Sequence, residues 1–255
     1  MKFNLLRDHF VSIQEINRFI ANPRSAQWPA RRRSAGLVCL FFVLSSLLAL
    51  SSAAKDTSRQ TILIMGDSLS AAYGIPQESS WVNLMADELS TTHPQVTIVN
   101  ASISGETTGG GRVRLPGLLK RHNPSVVVLE LGGNDGLRGF PVRIIRANLQ
   151  AMIEMSMAAG SEVLLLGMRI PPNYGAAYTE QFFATYGDLA EQFDLALVPF
   201  LLEGIALTEG FMQRDGIHPT AKAQPAITKT VLEKLNPMLS SKNSESLTID
   251  QVTTD

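Results

Sequence analysis

From residue 61 onward, short apolar runs alternate with longer stretches whose apolar positions follow a helical period. The runs are TILIM (61–65), VTIVN (96–100), SVVVLEL (125–131), EVLLLGM (162–168) and LALVP (195–199). They are continuous rather than alternating in polarity, which predicts strands buried on both faces of a sheet. Between them, ESSWVNLMADELS (78–90) puts Trp81, Leu84, Met85 and Leu89 on one helical face. VRIIRANLQAMIEMSMAAG (142–160) and AYTEQFFATYGDLAEQF (177–193) have similar spacing, the first with Gly160 as its stop, and TAKAQPAITKTVLEKL (220–235) closes the series. This alternation predicts an α/β domain, a three-layer doubly wound parallel sheet of five strands with helices on both faces. Such sheets bind ligands at the carboxyl ends of their strands.

The flanks follow different patterns. Arg31, Arg32 and Arg33 precede an apolar run over 35–50, and the small residues Ser52, Ala53 and Ala54 follow. A charged region, a short apolar region and a small-residue site are the parts of a secretory signal peptide. The expectation is a leader over 1–54 cleaved after Ala54, a folded domain over 55–239 and an exported protein, periplasmic or secreted. The alternatives are an uncleaved signal anchor and a start codon placed too early, because more than thirty residues precede the apolar run. That run is short for a spanning helix, which needs about 20 residues. The segment 240–255, SSKNSESLTIDQVTTD, is polar and short of core residues, and its composition predicts disorder.

Composition removes several classes of function. A net charge of -1 over 255 residues gives no electrostatic ground for nucleic-acid binding. The single cysteine cannot close an intramolecular disulfide. There is no H-E-x-x-H, no cysteine pair and no G-x-x-x-x-G-K-[ST] loop, so neither a metal nor a bound cofactor is expected. GGGRVR (109–114) lacks the third glycine of a dinucleotide fingerprint and reads as loop. His93 and His122 fall in surface positions between helix and strand.

Four short segments remain, each following a predicted strand or the last of them. In GDSLS (66–70), Ser68 falls at a strand-to-helix turn, where free backbone N–H groups and a helix dipole would favour a developing anion. Alone it reads equally as an ordinary N-cap. In NASISGETT (100–108), Gly105 lets the backbone approach a bound group with its N–H free to donate, though alone it is a turn glycine. In ELGGNDGLRGF (130–140), Asn134 carries an amide that can donate to an oxyanion, though alone it is a residue bonding its own turn. In MQRDGIHPT (212–220), Asp215 and His218 are three residues apart, so one tight turn can set a carboxylate against one imidazole nitrogen and leave the other to take a serine proton. A serine nucleophile needs a base, an orienting carboxylate and oxyanion donors, and all appear in order along one sheet edge. GDSLS departs from the G-x-S-x-G elbow of α/β-hydrolases, because Ser70 occupies the last glycine position.

These blocks resemble those of the SGNH, or GDSL, hydrolases. ILIMGDSLSAAYGI, NASISGETTGGGRVRLPGLLKRHNP, LELGGNDGLRG, RIPPNYG and FMQRDGIHPTAKAQP resemble in particular the periplasmic thioesterase I / protease I / lysophospholipase L1 (arylesterase) branch, over about residues 61–238. The resemblance implies a flavodoxin-like SGNH hydrolase fold. It implies Ser68 as nucleophile, His218 as base and Asp215 as its orienting acid. The oxyanion hole would be the Ser68 and Gly105 N–H groups with the Asn134 side chain, and Asp67 would be structural. Asp135, Gly136, Leu137, Arg138 and Phe140 match a mobile loop that closes over the acyl chain, with Ile170, Pro171 and Tyr174 beside the same pocket. Ala72 stands where many relatives have glycine, and the leader is longer than usual for the branch.

The resulting expectation is an exported serine hydrolase of carboxylic esters and thioesters with a fatty acyl chain. It acts through an acyl-enzyme on Ser68, needs no cofactor, and loses activity at low pH as its histidine base protonates. Its partner is a small acyl ester or thioester. Membrane contact comes only through an uncleaved leader or a lipid substrate, and a monomer is expected. The competing readings are a carbohydrate O-deacetylase on the same fold, a catalytically inactive binding module, and a scaffold anchored by the leader.

Overall fold

The computed structural model describes residues 60–252, with side chains through residue 239. The leader expected over 1–54 lies outside the described residues. The five apolar runs form five strands: β1 (Gln60–Gly66), β2 (Val96–Asn100), β3 (Val126–Glu130), β4 (Glu162–Leu166) and β5 (Ala196–Val198). Their order is β2-β1-β3-β4-β5 and every neighbouring pair is parallel. This is the flavodoxin-like doubly wound order, whose topological switch lies between β1 and β3. Residues after β1 and after β3 therefore flank one crevice. β3 is buried along its whole length, as a continuous apolar run predicts. β2 is only partly covered, because it is an edge strand with one neighbour.

Among the described residues six α-helices accompany the sheet: α1 (Trp81–Thr92), α2 (Thr108–His122), the short α3 (Gly133–Leu137), α4 (Val142–Ala158), α5 (Ala176–Phe193) and α6 (Gln224–Val252). α1 packs with α6 on one side, and α4 packs with α2 and α5 on the other. Trp81 is fully buried and ties this framework to the loops. Its backbone N–H donates to Gln224 Oε1 at 2.9 Å, and its indole N–H donates to Leu69 O at 3.1 Å, one residue past Ser68. Among the described residues no helix is long and apolar enough to cross a membrane.

One expectation changes here. GGGRVR is helix, not loop. Thr107 caps α2 by accepting from the Gly110 N–H at 3.2 Å. A Cβ on Gly111 would collide with Leu131 Cδ1 and crowd Met65 and Met152 at 3.3 Å. Gly111 lowers helix propensity, and it is what lets α2 lie close on Leu131, Met65 and Met152. Further on, the backbone of α6 is helical to Val252. No glycine or proline follows Pro237 to interrupt it.

Candidate active site

β1 ends at Gly66, where a Cβ would lie 2.6 Å from Glu130 Oε2, 2.7 Å from Ser70 Oγ and 2.9 Å from Ser102 Oγ. Glycine lets the chain turn tightly against β3, and Asp67 and Ser68 follow at once. No helix begins at Ser68, contrary to the strand-to-helix expectation. Residues 68–74 run as successive turns, with Ala71 N–H on Asp67 O at 3.0 Å and Tyr73 N–H on Ser68 O at 3.3 Å. The cause is local: Ala72 (φ 60°) and Gly74 (φ 73°) are left-handed and cannot continue a right-handed helix.

His218 reaches Ser68 across 150 residues of chain. Its Nε2 lies 2.8 Å from Ser68 Oγ and its Nδ1 2.7 Å from Asp215 Oδ2. Asp215 Oδ1 also accepts the backbone N–H groups of Ile217 (2.9 Å) and His218 (3.0 Å), so one carboxylate closes the turn and orients the ring. Desolvation acts to raise the Asp215 pKa. The His218 N–H, the His218 ring and the Ile217 N–H outweigh it and lower it to about 2. An anionic Asp215 accepts from Nδ1–H, which leaves the Nε2 lone pair for the Ser68 proton.

Gln213 was not singled out from the sequence, yet it fastens this loop to the nucleophile turn. Its Nε2 donates to Tyr73 O at 2.9 Å and to Pro219 O at 3.1 Å, while its backbone N–H donates to His218 O at 2.7 Å. The Tyr73 ring lies 4.4 Å from the His218 ring, centroid to centroid.

Gly105 (φ 81°) sits in the loop after β2, which is joined to β1 by Ile103 N–H on Gly66 O at 3.1 Å. Neither the Ser68 nor the Gly105 N–H has an acceptor among the described residues. Asn134 is in α3, entered through Gly132 at φ 118°, where a Cβ would collide with Tyr186 Oη. Its Nδ2 donates to Asp67 Oδ2 at 2.9 Å, and Asp67 Oδ1 accepts the Leu69 N–H at 3.0 Å. Asp67 thus fixes which way the Asn134 amide faces, and the second N–H of that amide is left for another acceptor. Burial raises the pKa of Asp67, against the Leu69, Glu130 and Asn134 hydrogen bonds that lower it.

A cavity of about 520 Å³ opens beside Ser68 and His218. Leu137, Ile170 and Pro171 line it, together with Met168, Phe200 and Leu207. The other expected pocket residues stand elsewhere. Asp135 is buried and accepts from both the Thr108 N–H (2.9 Å) and the Thr108 hydroxyl (2.6 Å). Gly136 is packed between Ile170 and Phe182, where a Cβ would lie 2.8 Å from Ile170 Cγ2. These two residues join α3 to its neighbours and do not face the cavity. Arg138 donates to Gly105 O at 3.3 Å, Tyr174 donates from Oη to Leu137 O at 2.7 Å, and the Phe140 carbonyl accepts from Tyr178 Oη at 2.7 Å. They brace the loop from outside the cavity lining. Among the described residues no group of three His, Cys, Asp or Glu could hold a metal.

The profile of the family described as GDSL-like Lipase/Acylhydrolase matches residues 64–225. "Esterase TesA" of Pseudomonas aeruginosa is 47% identical over 197 residues, covering 77% of this chain and 98% of that protein. "Thioesterase 1/protease 1/lysophospholipase L1" of Escherichia coli is 43% identical over 198 residues, covering 78% and 92%. Among solved structures, the psychrotrophic esterase EstA from Pseudoalteromonas, inhibited by monoethylphosphonate, superposes with a TM-score of 0.68. It shares 42% identity and the match covers 71% of this chain and 99% of that one.

Proposed function

The chain belongs to the GDSL-like lipase/acylhydrolase family and hydrolyses ester bonds, and from that premise we propose that it cleaves fatty acyl esters and thioesters through an acyl-enzyme on Ser68. The observation that carries the proposal is the continuous hydrogen-bond line Ser68 Oγ–His218–Asp215, at 2.8 and 2.7 Å, beside an apolar cavity. Ser68 Oγ bonds to the acyl carbonyl carbon while its proton passes to His218 Nε2. The oxygen that gains charge is met by the Ser68 and Gly105 N–H groups and the free amide N–H of Asn134. Collapse breaks the bond to the leaving alcohol or thiol, which takes the proton from His218. Water then attacks the acyl-enzyme, gives a proton to His218, and the acid departs as Ser68 is reprotonated.

Leu137, Ile170, Met168, Phe200 and Leu207 support an acyl chain as occupant. A sugar would find few hydrogen-bonding partners among them, which disfavours the deacetylase reading. The test is a panel of p-nitrophenyl esters of rising chain length, run with the wild type and Ser68→Ala. We expect activity to rise beyond the acetate and Ser68→Ala to lose about 10³-fold or more in kcat. A peak at acetate would favour the deacetylase, and equal activity in the two proteins would remove Ser68 from the mechanism.

Export is the second part of the proposal. It is supported by the arginines at 31–33, the apolar run and the Ser52-Ala53-Ala54 end. N-terminal sequencing of the mature protein should begin at Lys55, and an intact residue 1 would leave an uncleaved leader.

A further inference from the structure

Glu130 takes no part in the line from Ser68 to Asp215, yet it is fully buried directly beneath the nucleophile turn. It is the last residue of β3. Its Oε2 accepts the Asp67 backbone N–H at 3.0 Å and the Ser70 hydroxyl at 2.7 Å, so it holds both flanks of Ser68. Its Oε1 is buried with no donor among the described residues. The titratable groups that face it are the Asp67 carboxyl, from the turn after β1, and the Tyr186 phenol, from α5. Neither supplies a positive charge, and the Tyr186 hydroxyl donates to Leu131 O at 3.0 Å. The base His218 acts on Asp67. Two neighbouring carboxyls in a dry site cannot both ionise. Asp67 has N–H donors on each oxygen, from Leu69 and Asn134, and so carries the charge. An undonated Oε1 is unfavourable as part of an anion, and the Glu130 and Asp67 carboxyls share a side-chain hydrogen bond, which only a protonated carboxyl can donate.

We propose that Glu130 is a positioning residue for the oxyanion hole: as the neutral acid it hydrogen-bonds to the Asp67 carboxylate, which holds the Asn134 amide with one N–H aimed at the developing oxyanion. The inference rests on the assignment of Ser68 and Asn134 made above. Desolvation first, and then the charge of Asp67, push the Glu130 pKa well above the usual carboxyl range, in keeping with a retained proton.

The test is steady-state kinetics on a p-nitrophenyl ester with Glu130→Gln, Glu130→Ala, Asn134→Ala, the Glu130→Ala/Asn134→Ala double variant and Ser68→Ala. Glu130→Ala should lower kcat about ten- to a hundredfold with KM little changed, a loss no greater than that of the Asn134 donor itself. Glu130→Gln should restore kcat to within about threefold of wild type, because the carboxamide keeps the accepting oxygen and an N–H for Asp67. In the Asn134→Ala background, Glu130→Ala should have little further effect. Glu130→Gln as impaired as Glu130→Ala would mean that the ionised form is needed, and Glu130→Ala as active as wild type would mean that nothing is positioned. Either result overturns the inference.

If Glu130→Ala does not fold, melting curves of Glu130→Gln still decide. A proton taken up on folding makes wild type lose stability as pH rises, so Glu130→Gln should melt above it at neutral pH and match it in acid. A gap that does not vary with pH overturns the inference. Should Ser68→Ala keep its activity, the site assignment has failed. Should Ser68→Ala and Asn134→Ala lose activity while Glu130→Ala does not, the role of Glu130 alone has failed.

Discussion

Ala72 holds its backbone at φ 60°, four residues past Ser68, in a region that an L side chain with a Cβ rarely adopts. The conformation is imposed from both sides. The chain must leave β1, present Ser68 and Asp67, and return in time for α1 to place Trp81 in the core. A left-handed residue makes that reversal in a few positions. Glycine adopts the same φ without steric penalty. The penalty for alanine is about 1–2 kcal/mol, partly offset because glycine has more freedom to lose on folding. Ala72→Gly should therefore stabilise the protein slightly, by up to about 1 kcal/mol, raising the melting temperature by about 1–3 °C. A lower melting temperature in the variant would show that the alanine methyl contributes more packing than its backbone loses in strain.

At the level of elements, what the sequence displays and what it conceals divide along a physical line. Burial on both faces leaves a direct mark, so strands such as TILIM and EVLLLGM were legible with their order in the chain. The parallel sheet followed from their alternation with helices. The four candidate blocks were legible because each joins an unusual residue to a turn, and the resemblance gave them roles. Less legible was whatever depends on partners distant in the chain. The glycines at 109–111 read as loop because propensity is local, whereas the close approach of α2 to Leu131 and Met152 is tertiary. Asp135 read as a pocket residue because 135–140 resembles the branch's mobile loop, whereas Thr108, 27 positions earlier, claims both of its oxygens. Glu130 was written openly, as the one carboxylate in SVVVLEL. An ionisable carboxyl inside a run predicted to be fully buried is itself a signal that it is hydrogen-bonded, neutralised or both.

Across the whole molecule, the last functional block is clasped to the first by a few hydrogen bonds, and the acid side of the stability profile should report on that clasp. Asp215 is held at a pKa of about 2 against an ordinary 3.8, with burial opposing and the His218 and Ile217 hydrogen bonds prevailing. A group whose pKa falls on folding stabilises the native state above its unfolded pKa, and that contribution disappears as pH drops through the folded value. The side chain is 39% exposed, so screening by solvent keeps the contribution small. Asp215→Asn should accordingly melt slightly below wild type at neutral pH, and the gap should close between about pH 4 and pH 2. Its activity should fall far more than its stability, by about 10²- to 10⁴-fold, because an amide at Asp215 no longer fixes the His218 tautomer that accepts the Ser68 proton. Paired melting curves and kcat measurements across that range separate the two effects. A gap in melting temperature that widens in acid would mean that Asp215 stabilises the loop as the neutral acid, which its three hydrogen bonds from N–H donors do not allow.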